Sequence, residues 1–575
     1  MAVDISFVVG GEAGQGIQSM SFVLGKTLMR GGYEVLITQD FESRIRGGHS
    51  SARVRAAERH IQASSEKIDI LIALNAETID LHKGEMDPAG LVICDRGKLK
   101  TSDKNGDNFL DIPLERLAVE KGGDRLMSNT VTIGAVVGLI NYDFGLLADV
   151  LREEFGRHGD KTVEGNLAAA RAGYEYASQH LADRTSPRVA SRGPTERIMM
   201  TGNEAVALGA MVAGCKFVAG YPMTPTTSIL EYIAEKGRRF NIPVVQAEDE
   251  ISAANMVVGA AYAGVRAMTA TSGGGFCLMV EALSLAAMTE TPMVIVLGQR
   301  PGPAIGLPTR TEQSDLEFAL YGGHGGFRRP VLAPSGVAEA FWLTLKAFNI
   351  AEKYQTPVIL ITDHDLADSY NTVERFDLKK AKIDRGQTIS DEEAASLTNY
   401  KRHLITESGI SPRALPMQSK SLVVTDSDEH DEEGHMIEDA ETRTRMVLKR
   451  QRKFDRLQDD MDEPTITLRP NSEFTLIGWG STYGAIKEAA ELLEADGIAA
   501  SVLHLNALWP FPVDAVTRAL AHSPRAFVIE SNATGQLARL MRAETGIKAH
   551  KSILKFDGRS FSPQYIVNSL KKEVS

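Results

Sequence analysis

The sequence predicts a multidomain α/β protein, and three observations carry that expectation. Short apolar runs at 5–9, 68–74, 293–297 and 357–361 each stop at a turn or polar break. In several cases a small-residue or amphipathic helical pattern follows, which is the signature of strands alternating with helices. The 575 residues leave room for roughly three to four domains. A hydrophobic fraction of 43% with 51 glycines fits globular, turn-rich chains of this class. Alternation of this kind argues for parallel sheets covered on both faces.

The first segment, 1–184, opens with a strand at 5–9, the turn Gly10-Gly11-Glu12-Ala13-Gly14-Gln15-Gly16 and a helix at 17–30. Strands at 34–38 and 68–74 follow. The spacing Gly11-x-x-Gly14-x-Gly16 is not the dinucleotide fingerprint, which reads G-x-G-x-x-G. Asp40, just past the second strand, would suit a ribose contact, so a nucleotide reading stays open beside a purely structural turn. Residues 185–194 close a stretch rich in Arg, Ser and Pro and read as a linker.

The second segment, 195–384, repeats the α/β pattern with strands at 216–219, 243–245, 267–270, 293–297 and 357–361. Its most informative run is Gly220-Tyr221-Pro222-Met223-Thr224-Pro225-Thr226-Thr227-Ser228. Two prolines stiffen this loop, and its hydroxyls are expected to cap a helix beginning at Ile229. Loops at the carboxyl ends of strands are where α/β folds bind small anions. Glu248, Asp249 and Glu250 precede a helix of small residues, 251–264. All three could be a helix-dipole cap. Gly273-Gly274-Gly275 reads as a turn before a helix at 278–288. Arg300 ends a strand just before Pro301-Gly302-Pro303, placed to fork onto a carboxylate or to bridge a domain edge.

The third segment, 385–463, is heavily charged, and its runs read as solvated surface with His430 and His435 inside an acidic cluster. The last segment, 464–575, is a compact α/β domain with strands at 474–477, 499–503 and 526–529 and a helix at 484–493.

A net charge of −12 argues against nonspecific nucleic-acid binding. Cys94, Cys215 and Cys277 are too far apart in sequence for a CxxC metal site or a cluster-binding run; they suggest a reducing compartment and read as small buried residues. The chain starts in a strand rather than a signal peptide, and no apolar run is long enough for a bilayer, so a cytoplasmic protein with no membrane partner is expected.

The Tyr221-Pro222-Met223-Thr224-Pro225 loop resembles the Tyr-Pro-Ile-Thr-Pro motif of the 2-oxoacid:ferredoxin oxidoreductases. The likeness covers nearly the whole chain, in the order of a subunit that fuses the family's γ and α parts. Within the family, the chain most resembles the α subunit of the 2-oxoglutarate branch. The resemblance implies a γ-type domain at 1–184, a thiamine-diphosphate pyrimidine-binding domain at 195–384, a charged insertion or subunit-contact arm at 385–463, and a transketolase C-terminal-like domain at 464–575.

It also implies chemistry. A 2-oxoacid loses CO2, two electrons pass singly to ferredoxin and coenzyme A captures the acyl group. A thiamine site needs a carboxylate against ring nitrogen N1′ of the aminopyrimidine, and Glu250 falls on the family's position for it. Tyr221, Pro222 and Thr224 would line the same cofactor, with Thr224 also touching substrate. Arg300 matches the arginine that binds the substrate carboxylate, and Arg310 is a candidate for a second carboxylate. In the γ-type domain, Gly11, Gly14, Gln15, Gly16, Arg44, Arg46, Gly47 and Gly48 look suited to the phosphates of coenzyme A. No Gly-Asp-Gly with a downstream Asn stands in the sequence, and no cysteine run does. A β subunit is therefore expected to bring the diphosphate site, Mg2+ and a [4Fe–4S] cluster, in an (αβ)2 heterotetramer. A pyruvate or aryl-pyruvate enzyme and a non-catalytic nucleotide-binding scaffold are the rival expectations.

Overall fold

The computed structural model of the chain describes residues 2–44, 47–99, 108–181, 188–523 and 525–574. They form two compact units. The first comprises Met1–Met200, Ser369–Arg375 and Ser562–Gln564; the second comprises Thr201–Asp368, Phe376–Phe561 and Tyr565–Ser575.

The first unit is built on an eight-stranded sheet in the order Phe109–Asp111, Met86–Cys94, Ile68–Ala73, Asp4–Glu12, His49–Ala57, Glu34–Phe41, Tyr370–Val373, Ile198–Thr201. It is mixed, not parallel as expected. Strand Asp4–Glu12 pairs parallel with Ile68–Ala73 but antiparallel with His49–Ala57, which is itself antiparallel to Glu34–Phe41. The cause is a strand hidden in the sequence by Arg53 and Arg55. Arg55 is buried because its guanidinium forks onto Asp4, at 2.9 and 2.7 Å. A charged residue thus occupies a buried strand position once it is paired. The short connection after Phe41 then forces an antiparallel return.

Gly10 and Gly11 lie inside the first strand rather than in the turn, paired with Ser51 and Ser50. Helices Ser128–Leu139 and Asp160–His180 touch backbone to backbone. A Cβ on Gly134 would stand 2.0 Å from Ala170 O, and one on Gly173 2.0 Å from Val131 O. The described part of the expected linker is seated on this unit: Val189 is buried and donates its N–H to Ile140 O at 3.0 Å.

The second unit holds two sheets. A seven-stranded sheet runs Ala507–Trp509, Val331–Leu332, Pro357–Asp363, Met293–Gln299, Ala267–Thr271, Phe217–Gly220, Val244–Gln246. All its neighbours are parallel except the edge strand Ala507–Trp509. A five-stranded sheet runs Thr465–Thr467, Ala500–Leu505, Phe474–Trp479, Arg525–Glu530, Lys551–Leu554. One core joins the two, with Ile295 and Leu297 from the first and Trp479, Leu505 and Val528 from the second. Gln313 bridges them through its side chain, donating to Trp479 O at 2.9 Å and accepting from Ser531 N at 3.1 Å.

The charged segment is not simply solvated. Glu290, Lys449 and His403 are fully buried, and Lys453 nearly so. Lys449 binds Glu290 Oε1, Lys453 Nζ lies 3.1 Å from Oε2, and His403 Nδ1 lies 3.1 Å from Oε1. Burial alone would raise the Glu290 carboxyl, but the two ammonium groups hold it well below the usual carboxylate range. The sequence reading of Lys449 as a surface residue fails because its partner sits 159 residues away. His430 is buried with its ring 4.0 Å from that of His403, whereas the His435 side chain is 67% exposed. Among the described residues no cluster of three or more His, Cys, Asp or Glu could hold a metal ion. No helix among them is long and apolar enough to cross a membrane.

Candidate active site

Strand Phe217–Gly220 delivers the loop 221–226 to the carboxyl edge of the seven-stranded sheet. Two contacts pin it. Asn203, 1% exposed, donates its side-chain amide to Pro225 O at 2.7 Å and Ser228 Oγ at 2.8 Å. Gly298, in strand Met293–Gln299, lets Pro225 and Thr226 seat directly on the sheet; a Cβ there would meet Thr226 Cγ2 at 2.6 Å. The following helix is Thr227–Lys236, two residues earlier than expected, and no side chain caps it. The Thr226 hydroxyl instead donates to Met223 O at 3.0 Å, closing the loop on itself. That local bond competes with capping.

Arg300 leaves the neighbouring strand and crosses to this loop. Its Nη1 donates to Thr224 O at 2.8 Å, and its side chain is nearly buried. Burial lowers the Arg300 pKa from its usual value, while Asp315 acts in the opposite direction. Tyr221 is 40% exposed and Pro222 is exposed, so the loop's leading edge faces outward.

The three acids at 248–250 divide cleanly. Glu248 is exposed. Asp249 is the cap of helix Glu250–Tyr262, accepting from Ser252 N at 2.8 Å. Glu250 is 3% exposed, and its Oε1 has no hydrogen-bond partner. A buried carboxylate oxygen left unpaired is costly, so this one is built for a group the protein does not itself supply. Gly275 makes room for the side chains that line this place: a Cβ there would lie 2.5 Å from Glu250 Oε1 and 2.1 Å from Thr271 Oγ1. Gly273, Gly274 and Gly275 form the first turn of helix Gly273–Met288, not a turn before it. Glycine is needed at Gly273, crowded by Asp315, and at Gly275, crowded by Glu250 and Thr271. The unpaired Glu250 oxygen, with the Thr271 hydroxyl beside it, fits the aminopyrimidine half of thiamine diphosphate in chemistry.

Beside this site several apolar side chains face outward: Ile251 is 48% exposed, Met256 42% and Leu278 47%. Exposed apolar residues concentrated on two helices are characteristic of a binding face. Cys277, expected to be buried, is exposed on the same helix face, whereas Cys94 and Cys215 are buried. Arg310 packs its stem on Gly558, whose Cβ would stand 3.0 Å from Arg310 Cβ.

In the first unit, Gly16 adopts φ 77° at the start of helix Ile17–Arg30, and Gly14 has φ 92°. A side chain on Gly14 would meet nothing within 4 Å, so its backbone is open to a ligand. Gln15 Oε1 accepts from Glu12 N at 2.8 Å and lies over Gly11, where a Cβ would stand 2.3 Å from it. Gly47 and Gly48 have φ 75° and 73°. Arg44 pairs with Glu42 at 2.9 Å on an exposed edge, and Arg46 lies outside the described residues. Asn203, Thr271, Gly275 and Gly298 were missed in the sequence; only the triple glycine gave a local signal.

Three family descriptions match successive parts of the chain. Residues 6–176 match pyruvate ferredoxin/flavodoxin oxidoreductase, residues 208–449 the thiamine diphosphate-binding part of pyruvate flavodoxin/ferredoxin oxidoreductase, and residues 472–566 pyruvate:ferredoxin oxidoreductase core domain II. The chain is similar to 2-oxoacid:ferredoxin oxidoreductase 2, subunit alpha, of Aeropyrum pernix, with 33% identity over 99% of this chain and 98% of that one. It is 35% identical to 2-oxoglutarate synthase subunit KorA of Methanothermobacter thermautotrophicus, over 66% of this chain and 99% of that one. Among solved structures, 2-oxoglutarate:ferredoxin oxidoreductase from Magnetococcus marinus, with 2-oxoglutarate, coenzyme A and succinyl-CoA bound, superposes with a TM-score of 0.92. Identity to it is 34%, and each chain is covered completely.

Proposed function

Because the chain belongs to the 2-oxoacid:ferredoxin oxidoreductase family, we propose that it is the fused γ–α subunit of a 2-oxoglutarate:ferredoxin oxidoreductase. The reaction is 2-oxoglutarate, coenzyme A and two oxidised ferredoxins to succinyl-CoA, CO2, two reduced ferredoxins and a proton. The observation that carries this reading is the buried Glu250 carboxylate with an unpaired oxygen, packed on Gly275, with Arg300 and Thr224 joined on the same sheet edge. Thiamine diphosphate, when bound, supplies the carbon nucleophile and electron sink that decarboxylation requires. Glu250 holds a proton against N1′ of the aminopyrimidine. Arg300 forks onto the carboxylate next to the substrate carbonyl, and Thr224 orients the arginine through its carbonyl oxygen.

A β subunit completes the site with the diphosphate half, Mg2+ and a [4Fe–4S] cluster, and (αβ)2 is the proposed assembly. The chain purified alone should be colourless and inactive; with the β subunit it should be brown and should reduce ferredoxin with 2-oxoglutarate. Iron–sulfur absorbance or turnover from this chain alone would overturn the division of labour. So would a complex that consumes pyruvate and ignores 2-oxoglutarate, as far as the substrate is concerned.

Coenzyme A is assigned to the glycine turn and basic loop of the first unit. Arg44→Ala and Arg46→Ala should weaken its use more than decarboxylation. Each charge-assisted phosphate bond is worth on the order of 1.5–3 kcal/mol, whereas the competing exposed Glu42–Arg44 pair contributes little. The check is KM for coenzyme A against the rate of CO2 release in the complex. An unchanged KM in both variants would move the coenzyme A site elsewhere.

A further inference from the structure

A cavity of about 690 Å³ lies at the end of helix Gly273–Met288 opposite to Gly275. Its walls include Met288 at the last turn of that helix, Thr356 just before strand Pro357–Asp363, and Arg328 ahead of strand Val331–Leu332. It therefore opens at the amino edge of the seven-stranded sheet, whereas the Thr224 loop stands at the carboxyl edge. Helix Ala440–Arg452 closes another side with Arg443, Val447 and Arg450.

The lining is cationic although the chain carries a net charge of −12. Arg328, Arg443, Arg450 and Lys453 line the cavity against a single acid, Glu281, among the described lining residues. Arg443 and Arg450 share one carboxylate, Glu429, onto which Arg450 forks at 2.9 and 2.7 Å. Lys453 and Lys449 likewise share Glu290. Each pair leaves a positive charge over, and Lys453 is only 3% exposed. A charge held out of water without a counter-ion is costly, so this lining favours an anion. Arg328 is exposed, stands 5.9 Å from the Trp509 ring, and makes no hydrogen bond or ion pair among the described residues.

Backbone donors join these cations. The loop 322–326 reads Gly-Gly-His-Gly-Gly. His324 N–H donates to Ser284 Oγ at 3.1 Å, and the buried Arg329 donates to Gly322 O, which ties the loop to its surroundings. Gly325 then takes φ 77°, and a Cβ on Gly325 or Gly326 would meet nothing within 4 Å. The N–H groups of both glycines make no hydrogen bond among the described residues. The remaining wall is largely apolar, with Leu285, Phe327, Val447 and Phe454.

We propose that this cavity is a second ligand site, separate from the thiamine and coenzyme A sites, and that it takes a nucleoside phosphate. The guanidinium groups of Arg328 and Arg443 fork onto the phosphates, with the N–H groups of Gly325 and Gly326 beside them. The apolar wall with Phe327 and Phe454 takes the base. The volume suits a molecule of that size, for which pockets span about 300–1,000 Å³.

Labelled ATP is the probe. In equilibrium dialysis against the αβ complex, with thiamine diphosphate and coenzyme A both saturating, one ATP should bind per copy of this chain. Saturation keeps the probe out of the two cofactor sites. Pyrophosphate should displace it and adenosine should not, because the arginines read phosphate and adenosine carries none; this needs no variant. Arg328→Gln removes an exposed cation outside the core and should weaken ATP binding about tenfold. No saturable uptake, displacement by adenosine as effective as by pyrophosphate, or unchanged affinity in Arg328→Gln would each overturn the proposal.

Discussion

Glu250→Gln is expected to leave the fold intact and to cut turnover by about 10²–10⁴-fold, the usual cost of losing a positioned proton partner. The amide has the shape of the carboxylate and fits the same space beside Gly275. It cannot share a proton with a ring nitrogen. The helix start does not depend on it, because Asp249 supplies the cap through Ser252 N. Circular dichroism and assembly with the β subunit should therefore match the wild type while kcat collapses. Glu248→Gln is the matched control: that side chain is exposed, and the variant should turn over normally. Near-normal turnover in Glu250→Gln, with Glu248→Gln impaired, would mean the wrong carboxylate has been assigned.

Arg300→Ala should lower kcat/KM by on the order of 10²-fold for every 2-oxoacid, because all carry the carboxylate beside the carbonyl. The variant strands that carboxylate in a desolvated place without its partner, which costs more than the bond itself was worth. Arg300→Lys keeps a charge but loses the planar fork that now reaches Thr224 O, so it should remain impaired, though less than alanine. Arg310→Ala should behave differently. If Arg310 reads the distal carboxylate, 2-oxoglutarate alone should suffer and a monocarboxylate should be untouched. Measuring kcat/KM for both substrate types in all three variants separates the roles. A loss confined to 2-oxoglutarate in the Arg300 variants would reassign that residue to the distal end.

Local chemistry determined much of this protein from its sequence alone. Apolar runs placed strands Ile68–Ala73, Met293–Gln299 and Pro357–Asp363 to within two residues, because a strand buried on both faces must be apolar throughout. The prolines around Thr224 marked the site loop, since proline is excluded from the interior of a helix. The 2-oxoacid:ferredoxin oxidoreductase family was legible from that loop and the order of the parts. What the sequence could not show was pairing across distance. Arg55 is buried in a strand that no apolar run announced, because Asp4 neutralises it from a neighbouring strand. Lys449 reads as solvated and is buried, because Glu290 waits 159 residues away. The choice among Glu248, Asp249 and Glu250 also needed the tertiary structure: one is exposed, one caps, and only Glu250 is buried with an oxygen left unpaired. Local signals carry the cost of backbone conformation, which each residue meets by itself. The cost of burying a charge depends on a partner that only the folded chain brings near.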